Sequence, residues 1–147
     1  MALPPQKFRE IVLQLLYSQD ITPIDIAESV PFMMHALKVT RRTMLDVHDR
    51  MDKILEKCPE LDRKIEASSL SYSFDRISKV EKAILRLGGF ELLFDAAIPE
   101  QVAIAEAIRL SRKFGTPEGA RFVHAILDDI YKKDRSSAQH PNESLPV

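Results

Sequence analysis

The sequence predicts an all-α fold of helices packed on helices, and three observations carry that prediction. Apolar residues recur at spacings of three and four along most of the chain, with almost no strand-like alternation. Glycine occurs only four times, and the nine prolines fall mostly between periodic segments. At 147 residues with 45% apolar side chains, the chain is long enough for one domain with a buried core.

Seven helices follow from the pattern. The first spans about Pro5 to Ser18, with Phe8, Ile11, Val12, Leu15 and Leu16 on one face. The second follows Thr22-Pro23 and carries Ile24, Ala27 and Val30, with Pro31 kinking or ending it. The third is long, with Met44, Val47, Met51, Ile54, Leu55 and Cys58 along its apolar seam. Pro59 then opens a short fourth helix bearing Leu61 and Ile65. The serine-rich, aperiodic stretch from Ala67 to Asp75 separates two helical halves, about 1–70 and 75–133. Ser78-Lys79-Val80-Glu81 fits a capping box at the start of the fifth helix, which continues to about Phe94. Pro99 opens the sixth, which ends near Phe114-Gly115. Thr116 caps the seventh, with Pro117 in its first turn. The polar, aperiodic segment 134–147 is expected to be a mobile tail that can be removed from the domain, 1–133.

Charge and composition narrow the function classes. The formal net charge is −1, so any nucleic-acid contact must come from a local patch or be shared with a partner. The single cysteine, Cys58, forms no intrachain disulfide and points to a reducing compartment; it reads as a buried structural thiol. The chain has no apolar run of about 18 residues that would span a membrane, and residues 1–10 lack an apolar secretion core. The expected location is cytoplasmic. The chain shows no Gly-rich phosphate loop, Cys-x-x-Cys pair, His-Glu-x-x-His or nucleophile elbow. No catalytic residue, metal site or cofactor is therefore expected. His35 and His48 read as solvated helix residues, His124 as a packing or surface residue, and His140 lies in the tail.

Several polar positions are candidates for recognition. Rotating by about 100° per residue from Lys79 puts Lys79, Lys82 and Arg86 on one narrow face of the fifth helix. That row is either a solvated face or a phosphate-facing strip. Glu91 falls inside the apolar arc and reads as structural, in need of an arginine or free backbone N–H groups. Glu81, at the helix start, either caps the helix or serves a partner if its side chain is free. On the first helix, Lys7, Glu10, Gln14 and Tyr17 form a polar strip, and a tyrosine there suits a protein or nucleobase. Phe122 sits at the edge of the last helix's stripe beside Glu118 and Arg121, where stacking stays possible.

These residues also carry a resemblance that covers most of the chain. The segments are Arg9-Glu10, Gln14 and Leu16-Tyr17; Asp75-Arg76-Ile77; Val80 through Leu87; and Phe90-Glu91-Leu92-Leu93. They continue with Ile98-Pro99, Val102-Ala103-Ile104, Glu106-Ala107, Leu110 and Lys113-Phe114-Gly115, then Arg121-Phe122-Val123 and Ile126-Leu127-Asp128. In order and spacing the chain resembles the NusB transcription antitermination factors, while residues from about 21 to 73 match only as helical pattern. The resemblance implies two packed small helical bundles and an adaptor without catalysis. Such an adaptor pairs with the ribosomal protein NusE, binds boxA RNA of ribosomal RNA operons and joins the RNA polymerase elongation complex. Carried over by position, Tyr17 and Glu81 face the protein partner, and Lys7, Arg9, Glu118, Arg121 and Phe122 lie at RNA. The chain departs from the family in its N-terminal arm, which has only Lys7 and Arg9 as basic residues, and at Ala105 and His124, where an amide is usual. Fewer basic residues imply weaker RNA binding and a shallower salt dependence. Two other readings remain open: a helical protein-interaction module with weak or no RNA binding, and a domain related to the N-terminal domains of RNA cytosine methyltransferases. The latter would need a catalytic domain after Val147.

Overall fold

A computed structural model describes residues 3–22, 26–70 and 73–144, except the side chains of 26, 27, 29 and 137–144. Ile24, expected on the second helix, and the side chains of Ala27 and His140 lie outside the described residues. Six α-helices follow in order: α1 (Pro5–Ile21), α2 (Ile26–Leu37), α3 (Arg41–Ser68), α4 (Lys79–Phe94), α5 (Glu100–Phe114) and α6 (Pro117–Ser144). A 3-10 turn at Phe74–Arg76 precedes α4, and no strand occurs among the described residues. The chain divides into two compact units, Met1–Lys57 and Cys58–Val147.

In the first unit, α1 starts with Pro5 in its first turn, where a missing N–H costs nothing. Ile11, Val12, Leu13, Leu15 and Leu16 are buried, so the apolar arc is wider than the sequence reading by Leu13, while Phe8 is only half-buried. Glu10 is also buried rather than part of an exposed strip, and it is partnered, as a desolvated carboxylate must be. Pro31 lies inside α2 and does not end it. The helix stops instead at Lys38, whose φ of 55° lets the Val39 N–H reach the Met34 carbonyl at 3.1 Å. Thr40 then caps α3, its hydroxyl accepting the Thr43 N–H at 3.1 Å.

α3 corrects the division at Pro59. The expected third and fourth helices are one helix of 28 residues with Pro59 inside it. The reason is the seam itself. Met44, Val47, Met51, Ile54, Leu61 and Ile65 are all almost fully buried, and the alternating three–four spacing runs through Cys58 without interruption. Proline removes one backbone hydrogen bond, but Pro59 sits on the exposed side while apolar residues anchor both flanks. Cys58 is half-buried rather than buried.

In the second unit α4, α5 and α6 pack on one another. Gly88 sets their closeness: a Cβ there would lie 3.0 Å from Leu127 Cδ1 and 3.2 Å from the Ala107 Cβ. Ile84, Leu85, Leu87, Leu110, Val123 and Leu127 form the core. Glu91 is buried among them and partnered, in line with its structural reading. The backbone of α6 continues as helix past Asp134, where the sequence has no apolar period. Once nucleated, a helix propagates at one hydrogen bond per residue.

Candidate recognition site at two helix starts

Two helices of the second unit begin side by side, and each is sealed by a hydroxyl. Ser78 Oγ accepts the Glu81 N–H at 3.2 Å at the start of α4. Thr116 Oγ1 accepts the Gly119 N–H at 2.9 Å at the start of α6. Between these ends lies a cleft of about 270 Å³ lined by Arg76, Ile77, Ser78, Glu81, Thr116, Glu118, Gly119 and Phe122. Glu81 and Glu118 both stand in first turns, where the partial positive charge of the helix N-terminus favours a carboxylate. The Glu81 carboxylate does not complete a capping box. It lies over Gly119, where an added Cβ would stand 2.5 Å from Glu81 Oε1. It makes no hydrogen bond or ion pair among the described residues.

The cleft therefore joins residues that the family resemblance assigned to different ligands: Glu81 to a protein, Glu118 and Phe122 to RNA. Phe122 is half-buried, while Arg121 is exposed on α6 and does not line the cleft. Arg76 and Gly119 are additions. Arg76 belongs to the Asp75-Arg76-Ile77 segment that carried the resemblance, and that was its only sequence signal. Lys7, Arg9 and Tyr17 belong to the other unit, on α1. Lys7 is exposed, Arg9 is half-buried and engaged, and Tyr17 is 36% exposed.

Lys82 and Arg86 of the basic row on α4 are tied to neighbouring side chains. Lys82 Nζ lies 4.5 Å from the centroid of the Phe74 ring, and the Arg86 guanidinium lies 5.6 Å from it. Arg86 also binds Asp62, and Lys79 is engaged as well. Two of the three cations in the row thus have partners on the fold, while Lys79, though engaged, is exposed. His124 and His35 are exposed, whereas His48 is half-buried with its Nε2 unpartnered. No cluster of three potential metal ligands occurs among the described residues, and none of their helices is long and apolar enough to cross a membrane.

Fold and cleft define an all-α protein with a polar cleft where α4 and α6 begin. The chain belongs to the NusB family, whose model matches residues 6–132. The transcription antitermination protein NusB of Chlamydia pneumoniae is 41% identical over 128 residues, covering 87% of this chain and 80% of its own. That of Geotalea daltonii is 36% identical over 130 residues, covering 83% and 90%. A solved structure of T. maritima NusB is 28% identical with a TM-score of 0.78, covering 90% of this chain and 93% of that one. A crystal structure of the antitermination factors NusB and NusE in complex with dsRNA shares the fold at 23% identity and a TM-score of 0.74, covering 87% and 96%. The family resemblance and the all-α, NusB-like architecture read from the sequence are borne out, with six α-helices among the described residues where seven were expected.

Proposed function

We propose that this chain is a cytoplasmic transcription antitermination adaptor, not an enzyme. In this reading it pairs with ribosomal protein NusE, binds boxA RNA of ribosomal RNA operons and joins the RNA polymerase elongation complex to suppress termination. Family membership supports the role, and the solved NusB–NusE–dsRNA assembly of a relative supports the choice of ligands. The observation that carries it to this chain is the cleft itself, where Glu81 stands beside Glu118 and Phe122. Tyr17 and Glu81 meet the basic partner. Lys7, Arg9 and Arg121 meet phosphates, and Phe122 stacks on a base beside Glu118. The same reading takes 1–133 as the working domain, in halves of about 1–70 and 75–133, with 134–147 dispensable.

With a net charge of −1 and Lys82 and Arg86 of α4 committed to other side chains, RNA affinity of the free protein is weak and depends on the partner. The test is titration of fluorescent boxA RNA with this protein alone and in the presence of NusE. Coupling of about tenfold, within the usual range for linked binding sites, is expected. Identical curves in both conditions overturn the adaptor reading. If both curves are also flat, the second reading stands: a helical interaction module without RNA binding, which the inward-tied cations favour.

A further inference from the structure

We propose that Gly119 is a positioning residue for Glu81: the space left by its missing side chain holds the Glu81 carboxylate in place for a cationic group of the partner. The inference rests on the reading of Glu81 as a partner contact, and it assigns to Gly119 a role that acts through Glu81.

The argument starts from what glycine is not needed for. No glycine among the described residues has a positive φ, so the backbone at 119 makes no conformational demand. Glycine is a poor helix former, and position 119 lies in the first turn of α6. What glycine supplies is room. A Cβ at 119 would lie 2.5 Å from Glu81 Oε1 and 3.4 Å from its Cδ, so the carboxylate occupies the volume a side chain would fill. Gly119 is buried beneath it.

The carboxylate is not there as a cap, because the Gly119 N–H already donates to Thr116 Oγ1. Nor does another side chain hold it, since it has no hydrogen bond or ion pair among the described residues. It is kept by fit and by the positive end of α6. A carboxylate fixed in this way needs no ordering when a lysine or arginine arrives, which removes a cost of association. The atom closest to a Cβ is the far end of the flexible Glu81 side chain, while the Thr116 hydroxyl, at 3.2 Å, must give by only a few tenths of an ångström. Gly119→Ala therefore displaces the carboxylate and leaves the helix packing intact.

The test has two readouts. In the wild-type protein, NMR should show contacts between the Glu81 side-chain protons and the Gly119 α protons. This requires no variant, and their absence overturns the proposal. NusE affinity is then measured for wild type, Gly119→Ala, Glu81→Ala and the double variant, with helicity and melting followed alongside. Gly119→Ala should weaken NusE binding about two- to tenfold, the range for one side chain losing its preorganisation, with melting unchanged or slightly raised because alanine is the better helix former. In the Glu81→Ala background it should cause no further loss. An equal loss in that background shows that Gly119 acts through something other than Glu81, such as the Thr116 cap, and overturns the proposal. If the NMR contacts are present but Glu81→Ala leaves NusE affinity unchanged, the positioning stands and the partner reading of Glu81 falls.

Discussion

Arg86 of α4 grips Asp62 of α3 with two parallel hydrogen bonds, Nε to Oδ1 and Nη2 to Oδ2, both 2.9 Å. The arginine side chain is only 15% exposed. This fork-on-fork pairing fixes direction as well as charge, and lysine could not reproduce it. Asp62→Ala leaves a partly desolvated guanidinium without its acceptor. A destabilisation of about 2 kcal/mol is expected, which for a chain of this size lowers the melting temperature by roughly 4–8 °C. Thermal unfolding followed by circular dichroism measures it. An unchanged melt, with a fall in boxA affinity instead, would mean that this region serves RNA rather than the fold.

Pro59 interrupts the hydrogen-bond ladder of α3 on its exposed side. Pro59→Ala restores the missing N–H and should stabilise the protein by about 1–3 kcal/mol, less than or equal to the full helix-interior penalty of proline. Urea unfolding should then show a higher midpoint at an unchanged slope. A lower midpoint would indicate that seating Leu61 and Ile65 depends on the local geometry the proline imposes.

Tyr131 on α6 is pushed above its ordinary value of 10.0, chiefly by the Glu100 carboxylate at the start of α5, which favours the neutral phenol as a hydrogen-bond acceptor, with desolvation adding to the rise. The sign follows from the neutral phenol being the form that is held. The Glu100 contact is fully present below pH 10 and is lost as pH rises through the elevated value. Glu100→Gln should bring the titration back toward 10.0, while Arg135→Ala, which removes an opposing positive charge, should push it further up. Phenolate absorbance reads both shifts. No movement in Glu100→Gln would exclude the hydrogen bond as the cause.

How far the sequence can be read depends on where each signal is written. Ser78 and Thr116 announce α4 and α6 because a cap is local chemistry, a hydroxyl three residues from the N–H it accepts. The α3 seam is equally local, and dividing it at Pro59 gave one residue's backbone penalty more weight than six buried apolar side chains. Glu10 was misplaced because its burial comes from what packs against it, which helical rotation alone does not show. Glu81, Glu118 and Phe122 could each be picked out by resemblance. Their meeting in one cleft could not, because it depends on how α4 and α6 start beside each other. Gly119 had no signal at all: its contribution is an atom it lacks, and that matters only beside a side chain 38 positions earlier in the chain.

The inward commitment of Lys82 and Arg86 has a bearing on selectivity in a crowded cell. A polyanion drifting past that side of α4 finds its positive groups already spoken for by Phe74 and Asp62, so it has few counterions to exchange there. Passing transcripts and ribosomes therefore gain little electrostatic hold on the protein through these two groups.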